Sequence, residues 1–260
     1  MATPGRVFGR RRAGVLAHVT SLPGSGARGV IGDDACRFVD FLATAGFSVW
    51  QTLPLGPVNH SASPYQSDSA FAGNVALVEE GGDEGPSYDE FYEAHRYWLE
   101  DYVLYRALRQ HHEGAPWYHW PIELRDREAG ALTAARAGLR DSLEAGRRGQ
   151  HRFFGAWQRL KTYANGAGVL IFGDLPLFVA HDSADVWSHR ELFCIDAAGL
   201  MTDVAGAPPD AFAADGQNWG CPQYHWQNCA AEGFRWWTER LQVQAALFDL
   251  LRIDHFRGLE

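Results

Sequence analysis

At 260 residues the chain is long enough for one large α/β domain, or for such a domain carrying an insertion. Its formal charge of −9 excludes nucleic acid and anionic membrane surfaces as main partners, because both select basic patches. Hydrophobic residues make up 46% and can fill a core, yet no run approaches the roughly 20 apolar residues of a membrane span.

In chain order, Arg10-Arg11-Arg12 superficially matches a twin-arginine signal, but the apolar run before His18 is shorter than an h-region of about 7–15 residues. A cytoplasmic protein is therefore expected. Gly14–Thr20 predicts a first strand, leading into a loop with Gly24-x-Gly26-x-x-Gly29. That spacing is formally a dinucleotide fingerprint in the wrong context. Pro23 precedes it, the next helix begins near Asp33, and the second strand, Phe47–Leu53, contains Gln51-Thr52 where an acid would bind a ribose. A flexible loop is expected instead. Ala35, Phe38, Val39, Leu42 and Ala45 share one face of the helix between these strands, and Gly46 ends it.

Pro54–Asn74 is a long loop rich in Pro, Ser and Asn. Ser63, Tyr65, Gln66, Ser67 and Asn74 suit either sugar hydroxyls or a solvated turn, and the residues alone do not choose. Helical texture follows to about Arg148. Ser87-x-x-Glu90 matches a capping box, and Phe91, Trp98, Tyr102, Tyr105 and Leu108 form a stripe expected to pack. A separate helix bearing Phe153, Phe154, Trp157, Leu160 and Tyr163 is expected next. Gly168–Asp174 is a solid apolar run closed by a carboxylate, the pattern of a buried parallel strand. A long excursion, Leu175–Trp226, precedes a helix over Glu232–Phe248 and a fourth strand ending at Asp254 between Arg252 and Arg257.

The succession predicts an α/β fold, the first four strands of a (β/α)8 TIM barrel with an inserted helical subdomain. Three segments are expected: 1–82, the barrel start; 83–150, the helical insertion; and 151–260, strands three and four with a long covering loop. The cysteines Cys36, Cys194, Cys221 and Cys229 are too few and scattered for a disulfide framework. Cys221-x-x-x-His225-x-x-x-Cys229 lacks the close cysteine pair and fourth ligand of a typical zinc site, so no metal and no cofactor are expected.

The chemistry concentrates at strand ends. Asp174 and Asp254 close the last two strands, and Trp187, Trp219 and Trp226 look exposed between them. No phosphate-cradling lysine loop, Gly-x-Ser-x-Gly elbow or His-Glu-x-x-His is present. Carboxylates with aromatic faces and few cations suit neutral polyhydroxyl substrates. Flanking arginines hold Asp254 ionised, as a nucleophile requires. Retaining glycoside chemistry needs a second carboxyl group about 5–5.5 Å away. Asp174 looks too engaged in hydrogen bonds to fill that role, and Glu260 is too near Asp254 in sequence.

Gly14-Val-Leu-Ala-His-Val-Thr-Ser-Leu-Pro-Gly24, Trp50-Gln-Thr-Leu-Pro-Leu-Gly-Pro57, Ser63-Pro-Tyr-Gln-Ser67, Ser69-Ala-Phe-Ala-Gly-Asn74, Gly173-Asp-Leu-Pro176, Phe178–Trp187, Val204–Asp210, Gly216-Gln-Asn-Trp-Gly220 and Arg252-Ile-Asp-His-Phe-Arg-Gly258 occur in that order. Together they resemble amylomaltase, the 4-α-glucanotransferase or disproportionating enzyme of the α-amylase clan. The resemblance implies that Asp254 is the nucleophile and that Arg252 orients it. It also implies that Tyr65, Ser63 and His255 bind the sugar, and that Asp174 lies on the floor of the site. Asp210, Phe212, Gln217 and Trp219 would then lie on a loop that covers the acceptor side.

This chain departs from the family pattern at Ala211, where many relatives carry an aromatic pair, and at Cys221, where an amide is common. The family's acid/base glutamate and third aspartate lie on later strands. The expectation is thus an N-terminal part, inactive alone, whose partners are maltooligosaccharides or other α-1,4-glucans and a missing C-terminal half of the barrel. Two alternatives stay open: a non-catalytic glucan-binding or partner-dependent half-barrel, and an α-glucan hydrolase of the same clan.

Overall fold

The structure is a computed structural model that describes residues 9–259 except 25, 27, 60–62, 80–86 and 212. Among the described residues one sheet contains, in order, β1 (Gly14–Leu16), β2 (Val49–Gln51), β3 (Leu170–Leu175) and β6 (Leu250–Ile253), every neighbouring pair parallel. The intervening β4 (Val204–Ala207) and β5 (Gln217–Pro222) form a separate antiparallel hairpin. The apolar runs read from the sequence are the strands, trimmed where pairing stops. Helices cross between successive sheet strands, as parallel pairing requires.

The helix α1 (Asp33–Thr44) buries Ala35, Val39 and Leu42 after β1. Trp50 at the centre of β2 is fully buried. Its indole N–H donates to the Ala17 carbonyl (2.9 Å), and its ring meets Phe38 of α1 edge-on at 5.1 Å. Asp33 and Asp34 occupy the first turn of α1, and Gly24 lies directly against the Asp34 carboxylate. Acids therefore stand where a dinucleotide would need to place its phosphates.

Between β2 and β3 lie α2 (Tyr88–His111), α3 (Ile122–Arg125), α4 (Ala129–Gly138) and α5 (Arg140–Gly166). The aromatic stripe of α2 packs as its spacing predicts, with Phe91, Trp98, Tyr102, Tyr105 and Leu108 all buried. Three details differ from the sequence reading. Ser87 makes no side-chain cap to α2. Trp187, read as exposed, is fully buried: its indole N–H donates to the Leu124 carbonyl (3.0 Å) and Arg127 lies over its ring at 4.3 Å. Helix α5 runs unbroken through residue 150, the boundary read from the sequence, while the other boundary at 82–83 lies outside the described residues.

The unbroken helix serves two layers. In its first half Arg147 grips Glu100 of α2 through two hydrogen bonds (2.7 and 2.8 Å). Gly146 faces α2 so closely that a Cβ there would lie 2.9 Å from Val103, so this glycine permits the helix crossing rather than breaking the helix. In its second half Trp157 donates to the Leu247 carbonyl (2.8 Å) and Tyr163 to Asp40 of α1 (2.7 Å), which tie α5 to the elements around the sheet.

After β3 the chain forms α6 (Ala184–Ser188), the β4–β5 hairpin, α7 (Trp226–Ala231) and α8 (Arg235–Leu247). The single helix expected over Glu232–Phe248 begins instead at Arg235, because Gly233 and Phe234 take positive φ (70° and 53°) and separate α8 from α7. His225 Nδ1 accepts the Asn228 N–H (3.3 Å) and so caps α7. No described helix is long and apolar enough to cross a membrane.

Candidate active site

The site grows from the carboxyl ends of β3 and β6. Their register sets Asp174 opposite Arg252 on adjacent parallel strands, which directs the two side chains to the same face. Beyond β6 the Asp254 N–H still donates to the Leu175 carbonyl (3.0 Å), so the ladder carries on to Asp254. Gly173 lets the Phe248 ring pack directly against β3, since a Cβ there would lie 2.3 Å from that ring.

One guanidinium joins the two carboxylates. Arg252 Nη1 donates to both oxygens of Asp174 (2.7 and 2.8 Å), and its Nη2 donates to Asp254 Oδ1. Burial opposes the Arg252 charge, but the hydrogen bonds and charges of Asp174 and Asp254 outweigh it and hold the guanidinium above its ordinary range. The two carboxylates differ in access: the Asp174 side chain is 2% exposed and that of Asp254 36%. Among the described residues Asp254 Oδ2 accepts no hydrogen bond.

Tyr65 completes the floor. Its hydroxyl donates to Asp174 Oδ2 (2.8 Å). Burial, reinforced by that bond and by the charges of Asp174 and Asp254, pushes the phenol up to about 12. Asp174 thus accepts from Arg252 and Tyr65 together. It faces a cavity of about 40 Å³, room for little more than a water, and its oxygens are already taken up by these donors.

Above this floor a cleft of about 470 Å³ is lined by Ser63, Tyr65, Gln66, Phe178, Gln217, Trp219, Cys221, Asp254 and His255, with Pro176 and Leu177. Its volume falls in the range of small-ligand pockets. The segment Pro176–Phe178 is fixed from below. Buried Arg240 donates to the Leu177 carbonyl (2.9 Å) and to that of Pro176, and the Tyr224 hydroxyl donates to Leu177 O as well (2.8 Å). His255 adopts φ 52°, a left-handed conformation that costs a non-glycine residue about 1–2 kcal/mol. Its ring is met edge-on by Trp219 at 4.7 Å and flanked by Phe178 at 6.1 Å. The Trp219 indole donates to Gln217 Oε1 (2.9 Å), which sets its tilt.

Of the residues singled out from the sequence, Ser63, Tyr65, Gln217, Trp219, Asp254 and His255 therefore share one cleft. Arg252 and Asp174 lie beneath it. Asp210 does not line it, and its carboxylate accepts the Ala213 N–H (2.7 Å) within its own loop. Phe212 lies outside the described residues. Phe178 and Cys221 line the cleft without having been selected, although Phe178 opens the motif Phe178-Val-Ala-His-Asp that the sequence displays. Burial pushes the Cys221 thiol up to about 11, so it stays protonated and inert near neutral pH.

Fold and site together define an α/β protein of the parallel-barrel type, with its functional groups at the carboxyl ends of the strands. Comparison with known proteins carries this to a family. A family model described as 4-alpha-glucanotransferase matches residues 17–81 and 78–260, and the chain belongs to that family. It is 41% identical to a 4-alpha-glucanotransferase of Thermus thermophilus, over 96% of this chain and 59% of that protein. It is 40% identical to one of Aquifex aeolicus, over 96% of this chain and 60% of that one. Among solved structures it resembles an amylomaltase from Streptococcus agalactiae in complex with acarbose, with TM-score 0.89 and 32% identity over 95% of this chain and 60% of the other. The chain thus spans about six-tenths of the length of the relatives it matches.

Proposed function

We propose that the intact protein is a 4-α-glucanotransferase that moves α-1,4-glucan segments between maltooligosaccharides by a retaining double displacement. The observation that carries this reading is the Arg252 guanidinium shared between a buried Asp174 and an accessible Asp254 at the ends of adjacent strands. Asp254 attacks the anomeric carbon of the donor, forming a glycosyl ester as the bond to the departing 4-oxygen breaks. That oxygen takes a proton from the general acid. The 4-hydroxyl of an acceptor glucan then attacks the same anomeric carbon, the bond from that carbon to the Asp254 oxygen breaks and releases the carboxylate, and the hydroxyl proton returns to the acid/base group, restoring the α-configuration.

Arg252 holds one oxygen of Asp254 and so aims the carboxylate, and Asp174 keeps Arg252 in place. Tyr65, Ser63 and His255 meet the transferred sugar, while Gln217 and Trp219 lie on its acceptor side, a role the reading extends to Asp210 and Phe212. The reaction needs no cofactor in this scheme. Among the described residues no second carboxylate lines the cleft with Asp254, and the reading assigns the acid/base to a later strand of the family's barrel. It keeps the cytoplasmic location expected from the sequence.

Incubation of the intact protein with maltotriose tests the proposal. Glucose together with maltooligosaccharides longer than the substrate is the expected product set. Glucose and maltose without longer products would instead establish a hydrolase.

A further inference from the structure

Two adjacent residues of the Ser63–Ser67 motif reach in opposite directions. Tyr65 reaches down to Asp174, as described. Gln66 reaches across to the β4–β5 hairpin, where its Nε2 donates to the Trp219 carbonyl (2.9 Å) and to Cys221 Sγ (3.4 Å), over sequence separations of 153 and 155 residues. The orientation of this amide is chemically fixed. A main-chain carbonyl can only accept, so the nitrogen must face it.

Gln66 is itself held firmly. Its N–H donates to the Ser63 carbonyl (3.0 Å), and its carbonyl accepts the Asn59 N–H (3.2 Å). The next residues are anchored by Ser67 Oγ, which contacts the carbonyls of Pro57 (3.0 Å) and Ser69 (2.7 Å), and by the buried Asp68 carboxylate between Arg106 and Arg109. On the other side of the link, Gln217, Asn218 and Gly220 of β5 are exposed. The Trp219 indole rests edge-on against His255, the residue after Asp254. A shift of the Trp219 peptide would therefore open the cleft beside Asp254.

We propose that Gln66 is a positioning residue that clamps the hairpin over the cleft and so favours a sugar acceptor over water. The inference rests on the transferase reading given above. A closed rim excludes bulk water from the glycosyl ester while Trp219 and Gln217 stay in place for an acceptor sugar. Release of the clamp leaves the floor groups untouched, so ester formation continues and its fate changes.

The test uses the intact protein with Gln66→Met, which keeps length but loses the donor, and Gln66→Glu, which sets a carboxylate against the Trp219 carbonyl. Transfer and hydrolysis products from maltotriose are counted together, alongside the melting temperature. The hydrolysis-to-transfer ratio is expected to rise about five-fold in Gln66→Met and further in Gln66→Glu, with melting and donor KM unchanged. A ratio equal to the parent's in both variants would overturn the proposal, as would an equal fall in both product classes, the mark of a merely structural role. Failure of the parent protein itself to transfer would overturn the reading beneath it.

Discussion

The floor of the cleft is made by Asp174, Arg252 and Asp254 on two hydrogen-bonded strands, whereas its rim joins Gln66 to Trp219 across 153 residues of sequence. On the floor, the sheet ladder sets the backbone, register sets which side chains meet, and a guanidinium closes the set. On the rim, a loop and a hairpin that share no sheet meet through an amide, a thiol and edge-on rings. The contrast implies a division of labour. Changes to the floor should abolish reaction or weaken the fold, and changes to the rim should redirect the reaction.

The largest effect is expected at Asp254. Asp254→Asn removes the proposed nucleophile, and transfer should fall on the order of 10⁴-fold or more. The melting temperature should hold, because a third of this side chain is already exposed. Retained transfer would remove Asp254 from the chemistry.

Next in size is the support behind the rim. Asp68 is fully buried, bonded to Arg106 and, at 2.9 Å, to Arg109, which also reaches Asp182 at 3.1 Å. Burial pushes the Asp68 carboxyl up, and the two arginines offset only part of that. Asp68→Ala strands the largely buried Arg109 with less compensation and should cost about 3 kcal/mol in urea unfolding. A cost near zero would show that the loop is held by its backbone alone.

Tyr65→Phe should have a smaller effect, about 1.5–3 kcal/mol, the range for a hydrogen bond to a charged group. The pH dependence gives its sign. The folded phenol titrates near 12 against 10.0 for the free group, so the native state holds a proton that the unfolded chain releases. The stabilisation is fully present below pH 10 and is lost as pH rises toward 12. The stability gap between parent and Tyr65→Phe should therefore hold up to about pH 10 and narrow between pH 10 and pH 12, and a constant gap would contradict the assignment. The Gln66 variants come last, with their shift in product ratio and no loss of stability.

The floor was legible in the sequence because it follows short-range rules. An apolar run that turns charged at its end marks both the strand and the side chain it presents, as with Gly168–Asp174 and Leu250–Asp254. The α2 stripe was legible for the same reason, since spacing alone defines its buried face. Trp187 was misread because its burial depends on Leu124 and Arg127, which reach it from the inserted helices. The boundary expected at residue 150 falls inside one helix, Arg140–Gly166, whose Gly146 serves a close crossing with Val103 that local sequence does not show. Gln66 was visible among the polar residues of its loop, but nothing local distinguishes an amide that binds a distant carbonyl from one that meets solvent.

The most direct test of the central claim is to trap the ester. A 5-fluoro-α-glucosyl fluoride carries a leaving group that departs without a proton, so it reports the attacking carboxylate independently of the acid/base. Trypsin cuts after Arg252 and Arg257 and isolates Ile253-Asp254-His255-Phe256-Arg257. Mass spectrometry of the labelled protein should find one fluoroglucosyl group on that peptide, at Asp254, and none after Asp254→Asn. A label on Asp174 or on any other carboxylate would contradict the account.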